Sequence, residues 1–542
     1  MQRIIKSARR IEALEDLPRP FLRRFLRTQD GSMIVFGLFT FVLMLAICGM
    51  AIDIMRAESS RARLQGTLDR AVLAAAAMNQ ELPPETVVND YFAAADLDNF
   101  ITLIVSDSGF GYRSVHARAE MELDTSFMEI SGVDSLMARA AGTAEERASK
   151  AEISLVLDVS GSMRGSKATL MKSAAAQFVE TVLTGAGDDE SYVNVVPYNA
   201  QVSLPPDMFD AYNVSVDHDF SYCVTFAESD FEQTAITETQ PLTHLSHFQR
   251  YGNDEAGWQE IDHPECRVST DLYIKPFQSN ATTLSASINA MPIGGNTASD
   301  LGMKWGVALL DPSARPIVKS LITDKMVAAK LDGHPFDYTH PEALKVLVLM
   351  TDGVNTTRYD VKEAFKSGPA PIWRDPESKQ TSINLEMIGW PLDDPSTPWF
   401  VGKDTSCKFT QKYSDPKGDN PYQMTWDEIW NLFPAGEFGT CFFEELDKMV
   451  EASGELQEQY TETFEIVANN STANAQLLKI CTAAKNAGII VFTIGFEAPS
   501  SSQSLMEKCA SSPAHYYDVD GIEIENAFAG IAQSVQQLKL VQ

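Results

Sequence analysis

Residues 155–163 read LVLDVSGSM. An apolar run stops on Asp158, and a glycine and two serines follow within four residues. Read backwards, the run begins at 152 as EISLVLD, with the largely apolar character of a strand buried on both faces. Forwards, KATLMKSAAAQFVETVL over 167–183 spaces its apolar residues as an amphipathic helix does, and SYVNVVPY over 191–198 reads as the next strand. Strand, helix, strand in that order predicts a parallel pair. Asp158, Ser160 and Ser162 then sit beyond the carboxyl end of a parallel strand, where open α/β sheets bind their ligands.

The same rhythm returns further along. Helices are expected over 284–291 and 299–310, around the turn PIGGNT. LKVLVLMT over 344–351 and GIIVFTIG over 488–495 read as buried strands, with a helix over 473–487 between them. A short strand over 515–519 and a last helix over 525–538 end the pattern. This predicts an α/β fold, a doubly wound, mostly parallel sheet covered by helices on both faces. Two stretches, 203–275 and 356–470, break the rhythm and are rich in Pro, Asp, Trp and Tyr. Structureless loops of that length are uncommon in compact domains, so they read as insertions with structure of their own.

Three segments at strand ends or turns offer oxygen ligands. They are Asp158-Val-Ser160-Gly-Ser162, then Gly294-Gly295-Asn296-Thr297, then Thr351-Asp352-Gly353. Oxygen donors without thiolate or imidazole suit Mg²⁺, Mn²⁺ or Ca²⁺. An ion held by only two carboxylates stays electropositive and can take a third from outside. Other chemistries fit poorly. A phosphate loop needs G-x-x-x-x-G-K-[ST], and here the order is GSMRGSK over 161–167. A hydrolase elbow needs G-x-S-x-G, and Asp158 stands where the first glycine belongs. Taken alone, 158–162 could be a plain turn; the two further segments, in order, argue against that. With no base or nucleophile beside the oxygen ligands, an enzyme is not expected.

The net charge of −31 is uneven. Residues 1–30 carry eight Lys/Arg and four acids, leaving 35 basic and 70 acidic residues for the rest. Such a surface repels nucleic acid. MIVFGLFTFVLMLAICGMAI over 33–52 holds no charge. As a helix it is about 30 Å long, the thickness of a bilayer core. The basic tail before it sets the orientation: residues 1–30 in the cytoplasm, 31–55 crossing, the remainder outside. The run is too long for a cleaved signal peptide, and Ile47 before Cys48 does not suit lipoprotein cleavage. Residues 56–80 prolong the helix as a stalk, Pro83 and Pro84 end it, and a short helix is expected over 85–96. Alternating strands around GFGY (109–112) follow in 100–145, so 56–149 is expected to be a helical stalk with a small α+β unit. The α/β domain with its insertions then occupies 150–542.

Cys48 lies in the apolar run, and the other six cysteines all fall on the expected outside, where disulfides persist. Fifteen pairings are open to six cysteines. Pairing between sequence neighbours is expected: Cys223 with Cys266, Cys407 with Cys441, Cys481 with Cys509. Scattered buried thiols are the alternative. His244-x-x-His247 with His263-x-x-Cys266 has zinc-like spacing, although Cys266 in a disulfide is the plainer reading. Four N-x-[ST] triplets, at Asn213, Asn280, Asn355 and Asn470, read as chance matches.

D-x-S-x-S, G-G-N-T and T-D-G, in this order on an α/β sheet, resemble the von Willebrand factor type A domain. The resemblance covers about 150–200, 280–355 and the chain from about 472. It implies a metal-ion-dependent adhesion site of Asp158, Ser160, Ser162, Thr297 and Asp352, holding one divalent cation, Mg²⁺ first and Mn²⁺ or Ca²⁺ next. It also implies a protein partner that completes the shell with an acidic residue. Arg27 to Phe36, Asp53, and Arg61 to Ala76 resemble instead the TadE/TadG-like membrane segment of bacterial tight-adherence (Flp) pilus machinery. That segment, the type A domain and CASSPAHYYD over 509–518 together look like the TadG-like proteins. The implied setting is the bacterial inner membrane, with a periplasmic domain and a pilus or secretion component as partner. Related minor pilins are cleaved after a glycine with Glu at the fifth position beyond. Counted from Gly31 that position is Phe36, so a retained anchor is expected. A structural envelope anchor whose metal only stabilises loops, and a surface-exposed adhesin, are the alternatives.

Overall fold

The computed structural model describes residues 32–537 apart from 78–79, 81, 110–111, 148–149, 185–190, 251–260, 342, 390–391, 393, 404–405, 440–442, 444–445 and 448–462. It divides into two compact units, one ending at 146 and one running from 147.

The first unit is built on one helix, α1 (Ser32–Ala76), long and apolar enough in its first half to cross a membrane. Its second half buries Leu64, Leu68, Ala71, Val72 and Ala75, which recur on one helical face. Against that stripe pack Val87, Val88 and Phe92 of α2 (Pro84–Ala94). Pro84 opens α2, where the missing N–H costs nothing. A three-stranded sheet completes this core in the order β1 (Ile101–Gly109), β2 (Tyr112–Asp124), β3 (Ser135–Arg147). A 3-10 turn, Met128–Ser131, lies between β2 and β3.

The second unit centres on a six-stranded sheet. Its strands are β4 (Lys150–Asp158), β5 (Tyr192–Tyr198), β6 (Lys275–Gln278), β7 (Ala343–Thr351), β8 (Ile490–Phe496) and β9 (Tyr516–Val519), in the order β9-β8-β7-β4-β5-β6. Five run parallel, and β6 pairs antiparallel with β5 at the edge. Side chains of β4 alternate between two cores, as a period of two requires. Ile153, Leu155 and Leu157 pack with α3 (Ser166–Thr184), α4 (Ala281–Ala290) and α8 (Glu523–Gln537). Val156 faces α5 (Ser299–Ala308), α6 (Asn470–Asn486) and α7 (Ser500–Cys509). Burial on both faces explains why these strands read as apolar runs.

The insertions share one core. The first is largely irregular, with two-residue strands at Val224–Thr225 and Thr243–His244. The second carries a five-stranded antiparallel sheet: Ser406–Tyr413, Trp399–Lys403, Thr381–Asn384, Pro369–Arg374 and Tyr422–Thr425, in that order. Leu245 and Phe248 of the first pack with Ile372, Trp430 and Phe433 of the second. Ring centroids of Phe248 and Phe464 lie 5.1 Å apart. Cys223 is bonded to Cys266 inside the first insertion, and Cys481 to Cys509 between α6 and α7. Cys441 and the side chain of Cys407 lie outside the described residues, and so does their expected pairing. Cys48 is free and exposed on α1.

Candidate metal centre

β4 ends on Asp158, and a 3-10 turn, Gly161–Met163, leads into α3. The Asp158 side chain is fully buried. One carboxylate oxygen accepts from the Ser160 amide at 2.8 Å, the other from the Thr351 hydroxyl at 2.7 Å. Burial pushes this carboxyl up to about 6, and the Asp352 charge adds to that, against the pull of the Ser160 and Thr351 hydrogen bonds. β7 stops at Thr351, and Asp352 follows it with only 3% of its surface exposed. Asp352 Oδ1 accepts from Ser162 Oγ at 2.6 Å, and Ser162 Oγ lies 3.0 Å from Ser160 Oγ.

The third segment is tied to both others through its backbone. The Gly161 amide donates to Gly295 O at 2.9 Å, and the Gly294 amide to Val159 O at 2.8 Å. Asn199 Nδ2 donates to Gly294 O at 3.0 Å. Gly295 has φ +91°, and a Cβ there would meet Asn199 at 3.2 Å, so the turn needs glycine twice over. The Thr356 amide holds Thr297 O at 2.9 Å. A Cβ added at Gly353 would lie 3.4 Å from Ser162 Oγ and 3.5 Å from Thr297 Oγ1, so these two hydroxyls border one spot. All five expected residues therefore come together beyond the carboxyl ends of β4 and β7.

The donor set fits a hard divalent cation: two carboxylate and three hydroxyl side chains, all oxygen. Among the described residues no three His, Cys, Asp or Glu side chains form a metal cluster, so hydroxyls are needed to make up any shell here.

Two contacts at this spot are not legible in the sequence. Thr351 fixes Asp158, as above. Lys167, on the first turn of α3, donates to Asp352 Oδ2 at 2.9 Å and lies 3.5 Å from Glu497 Oε2. Burial works against its charge, but the Asp352 hydrogen bond and charge outweigh it and hold the ammonium above its usual range. The sequence marks Lys167 as the end of a failed phosphate-loop match and the start of a helix, and neither points to Asp352.

The zinc-like pattern does not assemble. Cys266 is taken by its disulfide, and His263 is exposed beside Asp262. His244 instead lies tilted against His218, ring centroids 3.9 Å apart, with its Nε2 on Ser221 O. Burial pushes His244 down to about 4 and His247 down to about 3, each also opposed by neighbouring imidazoles. Asn355, one of the four sequon matches, is buried and accepts from the Ser299 amide and hydroxyl.

Residues 31–78 match the family described as "Putative Flp pilus-assembly TadE/G-like". No curated protein matches the chain. Among solved structures it is similar to the vWF domain of the type V pili tip protein Mfa5 from Porphyromonas gingivalis, at 15% identity and TM-score 0.31, over 73% of this chain and 98% of that one. The pilus adhesin RrgA from Streptococcus pneumoniae aligns at 10% identity and TM-score 0.31, over 81% of this chain and 50% of that one. Proximal thread matrix protein 1 from the mussel byssus, solved with a zinc-occupied MIDAS motif, aligns at 12% identity and TM-score 0.26, over 72% and 46%. Superpositions this loose carry no argument, and the reading of the second unit rests on its own strand order and strand ends. The amino-terminal segment, residues 31–78, is therefore similar to the TadE/G-like family described for Flp pilus assembly.

Proposed function

We propose that this chain is a membrane-anchored, metal-dependent protein-binding module of a Tad/Flp-type pilus system, and that it is not an enzyme. One observation carries the reading. Asp158, Ser160, Ser162, Thr297 and Asp352, from three separated segments, converge where an α/β sheet presents ligands. The parallel strands, the helices on both faces and the order of the three segments support a von Willebrand factor type A fold, doubly wound, with two insertions. The TadE/G-like segment supports the pilus setting.

The chain's own residues set up the site. The Ser160 amide and Thr351 hydroxyl hold Asp158 in one orientation. Ser162 does the same for Asp352. Mg²⁺ is the natural occupant of this oxygen set, with Mn²⁺ or Ca²⁺ next. Bound there, the cation supplies a Lewis-acidic contact for a carboxylate on a partner protein, for which a pilus or secretion component is the best fit. The basic tail and apolar run support an inner-membrane anchor with the second unit in the periplasm. Two disulfides suit that oxidising compartment.

Calorimetric titration of Mg²⁺, Mn²⁺ and Ca²⁺ into the full chain in detergent tests the site. The wild type is expected to bind and Asp158→Ala is not. Equal heats from both would remove the metal from the mechanism. The Lys167–Asp352 ion pair favours a second reading, in which the strand ends are pinned internally and the protein is an envelope anchor. In that case neither form binds metal.

A further inference from the structure

We infer that the turn carrying Phe127 and Ile130 is a second membrane contact, an apolar turn that enters the lipid interface beside α1. The inference rests on the reading that residues 33–52 cross the bilayer.

Phe127 is 42% exposed and Ile130 86% exposed, although both are large apolar side chains on the connection between β2 and β3. Their place along α1 is fixed by two contacts. Asp53 follows the apolar run directly and is itself buried. Its carboxylate accepts from the backbone amides of Ser126 at 3.2 Å, Phe127 at 2.7 Å and Met128 at 2.9 Å. One helical turn earlier, Gly49 gives room for the Phe127 ring: a Cβ there would lie 2.5 Å from it. Gly49 is inside the uncharged run, about 4.5 Å short of Ile52 along the helix axis. Phe127 is thus level with helix that lipid surrounds, not with the stalk beyond it.

Backbone can enter a low-dielectric layer only with its polar groups satisfied. Six of the eight amides over 126–133 have such partners. Three amides are taken by Asp53. The Ile130 amide donates to Phe127 O, the Gly132 amide to Glu129 O and the Val133 amide to Met128 O. The Ser131 hydroxyl donates to Met128 O at 2.7 Å. Arg56, beside the turn, donates to Ser126 Oγ at 3.3 Å, and Glu129 is exposed. Those two charges limit the depth to the headgroup boundary, where apolar side chains are buried while charges stay wet. Continuity with the apolar run identifies the occupant as lipid, since the same medium bathes both.

The test places the photoreactive amino acid p-benzoylphenylalanine at position 130, or at position 43 within the run, in the full chain. Each protein is reconstituted in phosphatidylethanolamine–phosphatidylglycerol vesicles and irradiated, and adducts are identified by mass. Lipid adducts at both positions are expected. Lipid adducts at 43 but not at 130 would overturn the inference and leave the anchor standing. Crosslinks from 130 to a second protein chain would overturn it too, since protein would then cover the turn. No lipid adduct at either position would remove the membrane reading itself, and the inference with it.

Discussion

Lys167 Nζ lies 2.9 Å from Asp352 Oδ2, on the carboxylate whose other oxygen accepts from Ser162. An internal cation therefore already occupies one face of a candidate metal ligand. A divalent ion must share that carboxylate with the ammonium or displace it. Lys167→Met is expected to tighten Mn²⁺ or Mg²⁺ binding by roughly tenfold, about 1.4 kcal/mol. It should also lower metal-free stability by about 1–3 kcal/mol, because a buried acceptor loses its partner. Calorimetry and urea unfolding read the two effects separately. Unchanged affinity would mean that Lys167 and the ion do not compete.

Asp158→Asn separates the charge of the site from its shape. Asparagine keeps the volume and one acceptor oxygen for the Ser160 amide or the Thr351 hydroxyl. Without metal, the variant should be as stable as the wild type or more so, since a fully buried charge is gone. With metal at about 100 times its dissociation constant, the wild type gains about 2.7 kcal/mol and the variant should gain nothing. Thermal melts with and without Mg²⁺ give the comparison. A metal-induced rise that survives in Asp158→Asn would place the ion elsewhere.

The imidazoles of His218, His244 and His247 make the second unit acid-sensitive. Burial depresses all three, His244 to about 4 and His247 to about 3. Unfolded, each would bind a proton near pH 6.5. The unfolded state therefore binds more protons below that pH, and stability falls as pH drops from 6.5 towards 4. At pH 5 each histidine that stays neutral in the fold accounts for about 2 kcal/mol of that loss. His247→Phe, which retains a ring beside His218 and Phe220, should flatten the profile between pH 6.5 and 4. A profile as steep as the wild type's would clear His247 of the effect.

Asp158, Ser160 and Ser162 were legible because their residue types fall at the end of a strand whose apolar run is unmistakable. Thr297 and Asp352 became legible through the order of the segments. Lys167 did not, because its pairing with Asp352 joins positions 185 residues apart and depends on how α3 leaves the turn. β6 was missed for a local reason: KPFQ is short and carries a proline, as edge strands do. The shared core of the insertions could not be read either, since contacts such as Phe248 with Phe464 leave no periodicity in either stretch. Asp53 was noted as part of a segment, but its three amide partners lie at 126–128, where nothing in the sequence marks them.

The Cys481–Cys509 bond can be tested apart from the metal. It ties α6, five residues before its end, to the last residue of α7, with β8 between the two helices, across 28 residues of chain. Closing a loop of that size restricts the unfolded ensemble by about 3–4 kcal/mol. The Cys481→Ala, Cys509→Ala double variant should lose about that much in urea unfolding. None of Asp158, Ser160, Ser162, Thr297 and Asp352 lies between the two cysteines, so Mg²⁺ affinity at low temperature should be unchanged. A loss of affinity in parallel with stability would show that β8 and the Glu497 beyond it, 3.5 Å from Lys167, hold the strand ends in register for the ion.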